Sequence, residues 1–220
     1  MFADSMTEDR ADVCLRAPPV SPLYKTGTFP SSCYKTAPAG FHLGHWYRNY
    51  ETFATWNLRR NNQLLATGST NSSIYKIDQI TYQVPGNCTH LDSIYGFETY
   101  TSISDVQTFH GTGLFAGISG PIETVAWGLD EKCEKYVVYY EWDGSATYGW
   151  TIITEAVDGP TPGTLASIEK QIKTVANGAW ANITMYSSVH DGARNGQPYP
   201  VCDQACLTNN NSPNGTCPPS

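Results

Sequence analysis

The sequence predicts an all-β chain: a meander of short antiparallel strands with a single late helix. Three observations carry this. Aromatic residues make up 12% of the 220 residues, with 14 Tyr and 6 Trp, while charged residues are held to 15%; a pleated, half-buried surface favours that balance. Short apolar-aromatic runs recur between turn residues from about residue 44 to residue 155. A helical spacing of apolar positions comes late, after Thr161.

The elements follow in order. Residues 1–40 lack periodicity and carry Pro18, Pro19, Pro22, Pro30 and Pro38, so they read as an extended N-terminal arm rather than a buried element. Residues 41–190 form the body. Its strands are expected at 44–55, 58–67, 72–84, 91–101, 106–116, 122–129, 135–141 and 147–155, the second being the weakest. Pro85-Gly86-Asn87, Gly120-Pro121 and Asp143-Gly144-Ser145 punctuate them, a spacing that fits a meander. Thr161 then offers an N-cap, Pro162 the first helical position and Gly178 a stop. The stripe Leu165, Ile168, Ile172 and Val175 is expected to pack on the sheet. A short strand at 180–185 follows, and residues 191–220, rich in Asn, Gly and Pro, form a C-terminal arm.

Composition excludes several function classes. The formal net charge of −7 argues against nucleic acid, whose phosphates need a basic face. No run of about 18 apolar residues is present, so no transmembrane helix is expected. Residues 1–16 are polar and acidic, so the chain reads as processed or leaderless. Seven cysteines point to an oxidising, extracytoplasmic setting, either secreted or in an organelle lumen. Cys202-x-x-x-Cys206 is half a metal site without a second half, so disulfides are preferred and no metal is expected. Asn-x-Ser/Thr triplets at Asn71, Asn87, Asn182, Asn210 and Asn214 permit a secreted glycoprotein.

From Cys33 the chain reads Cys-Tyr-Lys-Thr-Ala-Pro-Ala-Gly-Phe-His-Leu, then Gly44-His45-Trp46-Tyr47. A cysteine, a short loop and Gly-x-Trp-Tyr at the head of the first strand resemble the start of a lipocalin. The resemblance runs from about Cys33 to Cys202. It implies an eight-stranded antiparallel up-and-down barrel with one external C-terminal helix. Trp46 would plug the tapering closed end, and Gly44 would let the backbone pass close to it. The second lipocalin motif, Thr-Asp-Tyr before a tyrosine-rich strand, is matched at Asp130 but not at Leu129 or Glu131. The third places an Arg on the strand before the helix, and residues 149–155 contain none.

Two branches look closest. The cysteine layout is similar to that of apolipoprotein D, which implies Cys33–Cys133 and Cys88–Cys202, with Cys14, Cys206 and Cys217 left over. Residues 136–149 resemble the lipocalin domain of violaxanthin de-epoxidase, an enzyme of the thylakoid lumen, which implies the thylakoid lumen as the alternative to secretion for this chain.

Catalytic constellations are absent or weak. There is no Gly-x-Ser-x-Gly elbow, and Gly111-Thr112-Gly113 lacks the Gly-Lys-Ser/Thr of a phosphate loop. The five histidines are scattered, and His110 reads as a hydrogen-bonded core or rim residue before a catalytic one. Asp92, Glu98, Asp105, Glu123 and Asp143 lie on or beside strands, and Asp92 with Tyr95 is one candidate for the acid–base pair that the de-epoxidase resemblance suggests. Tyr82, Tyr95, Phe97, Phe109, Trp127, Tyr139 and Trp150 recur along the strands as candidate ligand contacts.

The expected function is therefore non-enzymatic binding of one small hydrophobic molecule in the cup. Carotenoid comes first, then other pigment, retinoid and lipid, and no cofactor is required. A structural subunit of a photosynthetic membrane complex, reached through the two arms, stands second. A de-epoxidase-like enzyme stands third.

Overall fold

The computed structural model describes residues 13–20, 33–54, 56, 59–83, 91–142, 147–175 and 182–193. Cys88, Cys202, Cys206, Cys217, Gly178, the turns at 85–87 and 143–145 and most of both arms lie outside these residues.

Eight strands run in sequence order: β1 (Gly44–Glu51), β2 (Arg60–Thr67), β3 (Ile74–Gln83), β4 (Asp92–Tyr100), β5 (Val106–Gly111), β6 (Ser119–Leu129), β7 (Lys135–Trp142) and β8 (Tyr148–Thr154). Each pairs antiparallel with the next, and β1 pairs with both β2 and β8. The sheet is thus closed, which removes every exposed edge among the eight. The helix α1 spans Pro162–Val175 and a two-residue strand β9, Tyr186–Ser187, adds to the far end of β1. That short strand lies beyond the 180–185 expected for it.

Alternation along β7 and β8 builds two cores. Tyr136, Val138, Tyr140, Trp150 and Ile152 face outward and meet Ile168, Ile172 and Val175 of α1. Val137, Tyr139 and Ile153 face inward and join Trp46, Leu64 and Ala66. The helix packs through the expected stripe, with Leu165 at its margin. Thr161 stands before the first turn, and its carbonyl accepts from Leu165 N. Its hydroxyl makes no capping bond and is buried without a partner. The helix start is instead tied to the barrel by Asp130, whose Oδ2 accepts from Thr161 N at 3.0 Å.

Part of the N-terminal arm is buried. Val13 and Leu15 enter the core beneath α1, and the Gln171 side chain bonds Leu15 N and Val13 O. A register shift in β6 between Thr124 and Ala126 leaves the Val125 carbonyl for Arg16 N, 2.8 Å away. Proline content signalled an extended segment, but the alternation of Val13 and Leu15 is what lets that segment lie on the wall.

Cys14 bonds Cys33, and Cys133 is a free, exposed thiol. This corrects the expected Cys33–Cys133 pair. Cys133 sits with φ 64° in the tight turn between β6 and β7, displayed to solvent. Cys33 instead reaches the buried segment of the N-terminal arm, at a Cα–Cα distance of 5.8 Å from Cys14. Closing a loop of 19 residues contributes about 3 kcal/mol in the chain-entropy model. Peptide mapping without reduction should recover a Cys14–Cys33 cross-link. Iodoacetamide should label Cys133 on the folded protein. Recovery of a Cys33–Cys133 peptide would overturn the assignment.

Candidate functional site

The closed end of the barrel is built round Trp46, which is fully buried. Its indole Nε1 donates to the His42 carbonyl at 3.0 Å, and Phe41 packs on it at 6.3 Å. Gly44, just before it, has φ +126°, a backbone region that L side chains rarely adopt. Nothing lies within 4 Å of a Cβ placed there, so Gly44 is required by its angle and not by a close approach. The missing Arg of the strand before α1 has a substitute. Lys135, on β7, holds its ammonium 5.8 Å from the Trp46 ring centroid and 5.7 Å from that of Phe41. Glu155, directly after β8, fixes it with an ion pair of 2.7 Å. Tyr47 points outward against His45 and His190. Asp130 is buried and also accepts from Lys132 N and Glu134 N, which shapes the β6–β7 turn.

Above this floor lies a cavity of about 100 Å³. Its apolar wall comes from Leu64, Ile80, Ile94, Phe109, Ile122 and Tyr139. Phe53, Trp56, Phe115, Ile118 and Trp142 narrow the mouth. The 44–55 run breaks at Glu51, so Phe53 and Trp56 turn over the lumen instead of continuing the sheet. Gly96 is bare because the Phe109 ring occupies its lumenal side, where a Cβ would come within 2.4 Å.

Two ion clusters cross this apolar wall. In the first, Lys76 Nζ donates to Asp78 Oδ1, Asp78 Oδ2 and Glu98 Oε1, each at 2.8 Å. Lys76 and Asp78 are two apart on β3 and share the lumenal face, while Glu98 is the register partner of Lys76 on β4. In the second, Arg48 Nε donates to Glu51 at 2.9 Å and its Nη2 donates to Glu141 at 2.5 Å. Thr151 donates to the same Glu141 oxygen at 2.6 Å. Sequence reasoning missed both clusters. The detectable signal was opposite charge at spacing two, Lys76 and Asp78, inside an aromatic strand.

Burial opposes the charges of Lys76, Glu98 and Glu51, and neighbours outweigh it at Lys76 but not at the two glutamates. It pulls the Lys76 ammonium down, but Asp78 and Glu98 together carry its pKa well above the ordinary lysine range. It pushes Glu98 well above the usual carboxylate range; Lys76 opposes this and the adjacent Asp78 reinforces it. Glu51 is raised by burial against the pull of Arg48.

His42, between floor and cavity, is lowered to about 3 by burial and then by the Lys76 charge. Its Nδ1 lies 3.1 Å from the Tyr139 hydroxyl, and its Nε2 is buried without a partner. Its folded pKa lies below the unfolded value of 6.5. The stability it supports is therefore present above pH 6.5 and is lost as pH falls toward 3. Acidifying from pH 8 to pH 5 should cost about 2 kcal/mol through this residue. Denaturant titrations of wild type and His42→Phe test this: the variant should lose that much less over the interval. Equal losses in the two proteins would contradict a neutral buried His42.

Of the seven aromatic candidates, Phe109 and Tyr139 line the cavity, and Tyr82 stands at its rim against Trp56. Arg59 lies over both rings, 3.6 Å from the Trp56 centroid and 4.1 Å from that of Tyr82. The others are placed elsewhere. Trp127 belongs to the floor, where Phe41 packs on it at 4.9 Å and its Nε1 donates to the Lys35 carbonyl. Trp150 faces outward into the core under α1. Tyr95 and Phe97 lie on the outer face of β4, opposite Ile94 and Glu98, and Phe97 stacks on His110 at 5.1 Å. His110 is hydrogen-bonded there to Thr99 and Ser119, outside the cavity. Asp92 and Tyr95 are three apart on one strand, so they point to opposite faces and cannot form an acid–base pair.

Among the described residues there is no group of three His, Cys, Asp or Glu side chains suited to a metal, and no helix long and apolar enough to cross a membrane. A closed eight-stranded meander, plugged by the tryptophan of Gly44-x-Trp46 and followed by one helix on its wall, is the lipocalin fold. No family model and no curated protein matches the chain. Among solved structures, it is similar to apocrustacyanin C2, with 13% identity and a TM-score of 0.43; the match covers 69% of this chain and 78% of that one. It is also similar to lobster apocrustacyanin A1, with 14% identity, a TM-score of 0.40 and the same two coverages.

Proposed function

We propose that this barrel is a non-enzymatic binding protein that encloses one small, largely apolar molecule in its lumen. The observation that carries this is the cavity itself: an apolar pocket above a sealed floor, with aromatic side chains drawn in round its mouth. Transfer from water supplies roughly 25 cal/mol for each Å² of apolar surface removed, and a preformed cup loses little entropy on binding. Volume sets the ligand class. A cavity of roughly 150 Å³ holds a benzene-sized molecule, and this one measures about 100 Å³. A single ring with a short chain suits it if the mouth residues yield slightly. A carotenoid or retinoid would be admitted only by one end. The Cys14–Cys33 bond supports an oxidising compartment for this activity.

Intrinsic fluorescence tests the reading, because Trp56 and Trp142 both line the cavity. Titration with 2-phenylethanol, cyclohexanol, retinol and a carotenoid should separate the classes. The two small alcohols should quench emission with saturation near or below about 1 mM, a binding free energy of about 4 kcal/mol, and should raise the melting temperature. Saturation by the polyenes alone would overturn the size argument. Failure of all four would overturn ligand binding.

A further inference from the structure

We propose that the lumen selects ligands bearing a cationic amine, and that Glu98 is the side chain that receives it. This rests on the binding reading above and names the ligand's head group. Carboxyls outnumber cations in the cavity wall: Asp78, Glu98 and Glu141 stand against Lys76 and Arg48. The cations are committed. Lys76 spends its three protons on Asp78 and Glu98, and Arg48 is held by Glu51 and Glu141. Both oxygens of Asp78 are engaged by that same ammonium. Two carboxyl oxygens of these clusters are buried without a partner, one on Glu51 and one on Glu98, and of these two residues Glu98 is the one that lines the cavity. Glu98 Oε2 is buried without a hydrogen-bond partner, on a residue that is 1% exposed and lines the cavity.

A buried oxygen in that state is costly unless something donates to it. An ammonium does so with a charge-assisted bond, which is about twice as strong as a neutral one. Burial and Asp78 push the Glu98 carboxyl up while Lys76 pulls it down, and an arriving cation acts on it in the same sense as Lys76. A carboxylate ligand meets the opposite situation at this position, because Lys76 and Arg48, the two cations that line the cavity, are already paired. Phe109 is the register partner of Glu98 and gives the rest of such a ligand an aromatic surface beside the head-group position.

Three probes of nearly equal size separate the possibilities: phenethylamine, 2-phenylethanol and 3-phenylpropionate, each titrated into the oxidised full chain by calorimetry at neutral pH. Phenethylamine should bind about tenfold to a hundredfold more tightly than 2-phenylethanol, the value of one charge-assisted bond. 3-Phenylpropionate should not bind. In Glu98→Gln, checked for an intact melting transition, the amine and the alcohol should bind alike. Equal affinities for amine and alcohol in the unmodified protein would overturn amine selection while leaving lumenal binding intact. An amine preference that survives Glu98→Gln would overturn the role of Glu98. Absence of binding by all three probes would remove the lumenal reading and this one together. The comparison within the unmodified protein decides the selectivity even if the variant does not fold.

Discussion

Trp46→Ala is expected to destabilise the fold by about 3–5 kcal/mol, the range for removing a buried large aromatic. The indole is fully buried at the closed end, where Phe41, Leu64, Val137 and Ile153 share its cluster. Alanine would leave a void that the sheet cannot collapse to fill, because closure of the barrel fixes the spacing of β1 against both β2 and β8. It would also remove the donor to the His42 carbonyl and the ring that faces the Lys135 ammonium. Denaturant titration measures the effect. A loss below about 1 kcal/mol would be inconsistent with a buried plug.

Lys76→Met is the second large effect, about 3–5 kcal/mol at neutral pH, the cost of breaking a buried ion pair from one side. Methionine matches the length of the lysine stem but supplies no protons, so Asp78 is left in the lumen without its cation. The contrasting variant makes the point sharper. Changing Lys76→Met, Asp78→Leu and Glu98→Leu together removes the charges as a set. Such apolar replacements are commonly neutral or stabilising by about 1–4 kcal/mol. The triple variant should therefore recover most of the stability lost by Lys76→Met alone, while losing any amine preference. A triple variant as unstable as the single one would show that these charges serve the fold rather than the ligand.

Strand positions were legible because aromatic and β-branched runs alternate with strong turn residues, and because the helix announces itself by a different period. The start of β2 was the weakest reading for a physical reason: Asn61, Asn62 and Gln63 are buried there, so polarity masked an inward-facing strand. Which face each aromatic takes was not legible. Trp150 and Tyr139 sit on adjoining strands with similar surroundings in sequence, yet one lies under α1 and the other in the cavity. Only the register of β7 against β8 separates them. Cysteine connectivity was equally hidden, since spacing does not determine pairing. The Lys135 substitute for the absent Arg comes from a neighbouring strand, where no motif would place it. The polar side of the site was not legible because a charged residue within a strand does not reveal which face it takes. Lys76, Asp78 and Glu98 become a cluster only when β3 and β4 are set in register.

Calorimetric titration of 2-phenylethanol into the native protein, in parallel with Ile94→Trp, bears most directly on the lumen as the ligand site. Ile94 lines the cavity from β4, on the same face as Glu98. A tryptophan there would fill the space without touching the floor or the helix-covered wall. One saturable site per chain is expected in the native protein, and none in Ile94→Trp. Equal binding by the two proteins would place the ligand elsewhere, and the absence of saturable binding to the native protein would contradict the binding function itself.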